Sequence, residues 1–92
     1  MARPKSTVPV VFATSLTYNP ASVDAYNSRT YTVTVNDLRL GYPVQMWAAS
    51  LEAGLVLSNV YCSAANTLKF TLYNSTGVLI DPASQVFQIV QR

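Results

Sequence analysis

Residues 30–35 read Thr-Tyr-Thr-Val-Thr-Val, with Tyr31, Val33 and Val35 on one parity and three threonines on the other. Every one of these residues favours extended backbone, and a period of two separates an apolar face from a hydroxyl face. That pattern predicts a half-buried strand. Residues 67–73 repeat it, with Leu68, Phe70 and Leu72 alternating with Thr67, Lys69, Thr71 and Tyr73. The run stops at Asn74-Ser75-Thr76-Gly77, gives Val78-Leu79-Ile80, and stops again at Asp81-Pro82, both of them turn signals.

The same reading marks strands over 8–18, 43–50 and 55–62, a short apolar segment at 78–80 and a last strand over 86–90. Pro9 confines the start of the first to an edge or a strand entrance. Residues 47–54 could instead open a helical turn ending at Gly54, and Asp81 before Pro82 could cap another. No stretch carries a 3.6-residue period. Roughly six to eight short strands at turn spacings of about 8–12 residues predict an all-β fold, a small antiparallel sandwich or barrel of jelly-roll or Ig-like type. The connections are too short for parallel crossovers. Residues 1–7 lack periodicity and read as a flexible N-terminal arm, leaving 8–92 as a single β-domain. The expected core is Val33, Val35, Leu68, Phe70, Leu72, Val86 and Val90, with Phe87 and Ile89 competing on the opposite parity of the last strand.

Composition sharpens this picture. At 92 residues with half of them hydrophobic, the chain can build a core but gains little margin from it. One cysteine, Cys62, excludes an intrachain disulfide, and one cysteine with no histidine leaves no zinc set. Partner subunits are the remaining supplement. Only 11% of the residues are charged, against roughly a quarter in ordinary soluble domains. Low charge with six tyrosines fits a surface covered by other protein. The net charge of +2 is spread over Arg3, Lys5, Arg29, Arg39, Lys69 and Arg92, so no basic face for nucleic acid is expected. No apolar run approaches the roughly 20 residues of a membrane span. The opening MARPKSTVPVVFA is too briefly apolar, and too interrupted by Pro9, for a secretory signal, so synthesis in a reducing cytoplasm is expected.

Few side chains could carry chemistry. Without histidine there is no Ser-His or Cys-His pair. Asp24, Asp37 and Asp81 fall in expected turns, where aspartate serves the local backbone, and with Glu52 they show no spacing of an acid/base pair. Glycines 41, 54 and 77 stand singly, so no phosphate loop exists. Cys62 reads as a small buried residue, and Asn74-Ser75-Thr76, although a glycosylation sequon, reads as a turn. No catalytic residue, cofactor or metal is expected. Trp47, Tyr42, Tyr61 and Tyr73 are the candidates for an oligomer interface. Stacking on a sugar is the competing role for the aromatic residues, and stacking on a base lacks the basic groove it needs.

The segments T-Y-N-P-A-S (17–22), T-Y-T-V-T-V (30–35), L-R-L-G-Y-P-V (38–44), S-A-A-N-T-L-K-F-T-L-Y-N-S-T-G (63–77) and I-D-P-A-S (80–84) occur in this order. Together they resemble a small all-β domain of tailed-bacteriophage structural proteins, which occurs alone as a small virion protein or attached to head-fibre-like proteins. The resemblance spans roughly residues 17–90. It departs at Gly41-Tyr42-Pro43, where the pattern often has Gly-Asp. The resemblance implies a non-enzymatic capsid decoration or cement protein on the virion surface. Its partners would be itself, as a homotrimer, and the major capsid protein, with no nucleic acid and no membrane. Capsid contact is expected from residues 1–12, the arm with the start of the first strand, through Arg3, Pro4, Lys5, Val8 and Val10, by addition to a neighbouring sheet edge. The alternatives are a fibre- or tail-associated carbohydrate-binding module and a small regulatory binding protein.

Overall fold

The computed structural model describes residues 12–91. Six strands account for the regular structure: β1 Phe12–Tyr18, β2 Ser28–Thr34, β3 Val44–Ala48, β4 Leu55–Ala64, β5 Thr67–Asn74 and β6 Gln85–Gln91. They form two three-stranded antiparallel sheets, β1-β6-β3 and β2-β5-β4. The all-β, sandwich-like character expected from the alternation is what the chain adopts. Neither of the helical turns considered forms: 49–50 and 53–54 are turns, and Asp81 lies in irregular backbone.

Long-range pairing organises the molecule. β1 runs antiparallel to β6 from Phe12↔Gln91 to Tyr18↔Gln85, and five residues further along each strand Val23 pairs with Ile80 in the same register. Past that bridge the two chain segments pair again as β2 and β5, from Ser28↔Tyr73 to Thr34↔Thr67. Residues 12–34 and 67–91 therefore make one two-stranded ribbon that bends over from the first sheet into the second. β3 then joins β6, and β4 joins β5 through the tight turn at Ala65-Asn66. Asn66 takes the positive φ of 64° that the turn requires, a conformation asparagine tolerates.

The core lies between the sheets. Phe70 of β5 is its centre, stacked on Tyr31 at 5.2 Å, edge-on to Tyr18 at 6.0 Å and tilted against Phe87 of β6 at 5.7 Å. Such pairs add about 0.5–1.5 kcal/mol each beyond area burial. Val35, Leu68, Phe70 and Leu72 are buried as expected, and Val33 is half-buried against them. The last strand is the correction. Phe87 and Ile89 are fully buried, while Val86 is 47% exposed and Val90 only partly covered. The inward parity of β6 is Gln85, Phe87, Ile89, Gln91, so its two glutamines flank the apolar pair on the core side.

Those glutamines are inside because loops need them. The Gln91 carboxamide accepts the Arg39 N–H at 2.8 Å and donates to the Arg39 carbonyl at 2.6 Å, fixing the β2–β3 connection. Gln85 donates to Glu52 Oε1 at 3.1 Å, and Glu52 Oε2 accepts the Ala83 N–H at 2.7 Å, tying the β3–β4 loop to the entry of β6. Gln85 is paired only through its nitrogen, and its Oε1 is buried without a partner among the described residues, whereas both polar ends of the Gln91 amide are paired, which makes its burial stable. Asn74 does the same at the bend. Fully buried, it donates to the Val23 and Val78 carbonyls at 3.1 and 2.7 Å, and its oxygen accepts the Thr76 N–H at 2.9 Å. The sequon is thus a structural corner. Residues 78–80 form no strand; only Ile80 pairs.

Candidate functional site

Side chains that face outward from the two sheets give two surfaces of different chemistry. On β1-β6-β3 the outward parity is Ala13, Ser15 and Thr17, then Val86, Gln88 and Val90, then Gln45 and Trp47. The registers align them in rows: Ala13–Val90–Gln45, Ser15–Gln88–Trp47 and Thr17–Val86. None of the three strands contains an acidic or basic residue. Trp47, at 49% exposure, and Val86 stand out of this uncharged sheet as its apolar projections.

The β2-β5-β4 face is a hydroxyl platform. Thr30, Thr32 and Thr34 lie beside Thr71, Lys69 and Thr67, with Ser58 and Tyr61 beyond them. Thr30 and Thr71 share a hydrogen bond at 2.9 Å. Tyr73 sits between Ser28 and Val56, and Lys69 is its one charge, flanked by Thr32 and Tyr61. β4 bends here: its register shifts between Ser58 and Tyr61, and Asn59 adopts a φ of 53°.

The four aromatic candidates therefore do not form one patch. Tyr61 and Tyr73 share the hydroxyl face, Trp47 is on the opposite sheet, and Tyr42 is in the loop before β3. All four are exposed. The arm candidates Arg3, Pro4, Lys5, Val8 and Val10 lie outside the described residues. An open depression of about 600 Å³ lies near the start of β1, lined by Phe12, Asp37, Leu38, Arg39, Leu40, Ala65 and Asn66.

Several exposed apolar residues were not among the candidates: Val86, which parity assigned inward, Leu40 and Val56, and at the bend Tyr26, Val78 and Leu79, with Val78 at 67% exposure. The Tyr26 N–H bonds the Thr76 carbonyl at 3.0 Å, and its ring lies over Gly77. The signal was present in the sequence: an apolar triplet between two turn motifs is too short to be buried as a strand.

The titratable groups serve structure. The Ala83 N–H, with help from Gln85, holds the Glu52 carboxyl below the usual carboxylate range against a smaller desolvation effect. Burial pushes the Tyr31 phenol up, and its hydroxyl donates to the Ala21 carbonyl at 2.6 Å. Cys62 is buried and its thiol points to the Ala64 carbonyl. Among the described residues no cluster of His, Cys, Asp and Glu is placed to hold a metal ion. Compared with protein families, curated proteins and solved structures, the chain gives no match, and its function must be argued from these surfaces.

Proposed function

We propose that this protein is a non-enzymatic decoration or cement protein, which binds the outer shell of a virion as a homo-oligomer and stabilises it. The observation that carries the reading is the uncharged outer face of β1-β6-β3. Charge depletion around an exposed tryptophan is the composition of an interface core, and a sheet face suits a repeating lattice better than a cleft would. The strand order, β1-β6-β3 beside β2-β5-β4, is read as a shortened jelly roll, an architecture common in capsid and lectin domains. That support is fold-level analogy. The resemblance in sequence adds the trimeric arrangement and the capsid as partner.

The experiment is to titrate purified protein onto undecorated particles and count bound copies. Saturation at a copy number matching the shell lattice is expected, with Trp47→Glu weakening attachment. Absence of binding to shells would remove the reading.

The hydroxyl face favours the second reading, a carbohydrate-binding module. Tyr61 and Tyr73 offer ring faces, and the threonines and Lys69 offer hydrogen bonds around them. Glycan-array binding that is lost in Tyr73→Ala would move the function there.

A further inference from the structure

Each sheet has two edges, and the four edge strands are defended unequally. β3 is only five residues long and enters from Pro43. β4 is bent by its two register shifts and by Asn59. These two edges also lie alongside one another. β2 carries Arg29, whose exposed guanidinium reaches along that edge to the Ser22 carbonyl at 3.0 Å. Short length, proline, bulges and edge charges are the devices that stop sheets from pairing with other chains. Within Phe12–Tyr18, β1 has none of them. It is seven residues long, uncharged and in unbroken register with β6, which is its one strand partner among the described residues.

The β1 sequence is also self-complementary. Phe12-Ala13-Thr14-Ser15-Leu16-Thr17-Tyr18 has an aromatic ring at each end, small residues next to them and serine at the centre. Laid antiparallel on itself about Ser15, it sets Phe12 against Tyr18 and Thr14 against Leu16 on the core side. On the outer side Ala13 meets Thr17 and Ser15 meets Ser15. No like charges oppose, and an aromatic pair and a threonine–leucine pair meet on the half-buried core side. Self-complementarity of this kind is what a two-fold interface demands.

We propose that β1 is the docking edge for a second copy of this chain, paired antiparallel about a two-fold axis at Ser15. The two three-stranded sheets then become one of six strands. The row Ser15–Gln88–Trp47 continues into its symmetry mate and doubles the uncharged face, with a tryptophan at each end. This rests on the self-association part of the proposed function, puts a two-fold pair in place of the trimer that the resemblance implies, and needs no shell. A chain that stays monomeric yet decorates particles would overturn the pairing and leave the decoration reading standing.

The test uses Ser15, whose side chain points to solvent in the single chain. Residues directly opposite in an antiparallel pair are in contact, and like charges there are destabilising. Sedimentation of the full chain at micromolar concentration should give twice its 10.0 kDa mass. Ser15→Lys and Ser15→Glu should each run as folded single chains whose melting temperature no longer rises with protein concentration, and an equimolar mixture should recover the double mass. A monomeric or trimeric wild type, a dimer indifferent to Ser15→Lys, or a mixture that stays monomeric would each overturn the proposal.

Discussion

Val23 and Ile80 donate to each other's carbonyls, at 2.8 and 3.0 Å, in the connections that carry the chain from one sheet to the other. This single bridge carries the β1–β6 register into the bend, beyond which the β2–β5 pairing is offset by two residues. A sheet slipped by one residue would turn its apolar set to solvent, so the bend is where register must be held. Asn74 is the side chain that holds it.

Asn74→Ala should therefore destabilise the fold by about 2–4 kcal/mol, since it removes partners from the Val23 and Val78 carbonyls and the Thr76 N–H in a buried site. Urea denaturation measures it. Asn74→Asp keeps the acceptor but turns a carboxylate toward two carbonyls. Its deficit should shrink as pH falls and the acid is protonated. An Asn74→Asp deficit that does not change with pH would mean that the clamp is not formed.

Phe87→Ala should cost about 3–5 kcal/mol, as should Phe70→Ala, because both rings are fully buried. Val86→Ala should stay within about 0.5 kcal/mol, the range of ordinary surface changes. Equal losses at Val86 and Phe87 would contradict the orientation of β6.

The contrast between β5 and β6 shows what the sequence could reveal. In β5 one parity is Leu68, Phe70, Leu72 and the other holds Lys69 and threonines, so amphipathicity names the inner face. In β6 both parities hold apolar residues, and Gln85 and Gln91 argue for the wrong one. They are inward because loops at 39–42 and 52–54 lie against the strand ends, a tertiary fact with no local signature. The turn at Asn74 was legible, but its burial was not, since the carbonyls it serves belong to residues 23 and 78. The uncharged outer face could be read as composition, yet only the registers of β1, β6 and β3 gather it onto one surface. The aromatic candidates were scattered for the same reason: sequence shows which residues are interface-like, and topology decides whether they are neighbours.

Gly54 has a φ of 91°, and a Cβ there would lie 2.5 Å from the Thr76 methyl group. Its carbonyl accepts both the Ser75 N–H and the Ser75 hydroxyl, linking the β3–β4 loop to the bend. Gly54→Ala combines left-handed strain with a clash and should lower stability by about 1–3 kcal/mol. Gly41→Ala, with an open site but a similar φ, should show the conformational part alone. Equal melting temperatures for the two variants would show that the Thr76 contact yields without cost.

The arm is tested by charge. Replacing Arg3 and Lys5 together by alanine should leave the melting temperature unchanged and lower occupancy on particles, most at low salt where unscreened charge assists encounter. Equal occupancy at both salt concentrations would assign attachment to the β-domain.

Stability should fall at both ends of the pH range, through different groups. The Glu52 carboxyl is held below its unfolded value by the Ala83 N–H. Its contribution is full above the unfolded value near about 4.3 and is lost as pH falls through the lower folded value. Tyr31 is raised by burial, so the folded state holds its proton more tightly. That contribution is full below the unfolded value near about 10 and disappears as pH rises through the higher folded value. Glu52→Gln should flatten only the acid limb of a melting-temperature profile, and Tyr31→Phe only the alkaline one. The phenylalanine variant also leaves the Ala21 carbonyl without its 2.6 Å donor, so its whole curve should sit lower while its alkaline limb is flatter. An unchanged alkaline limb in Tyr31→Phe would move that titration to another tyrosine and remove Tyr31 from the pH response.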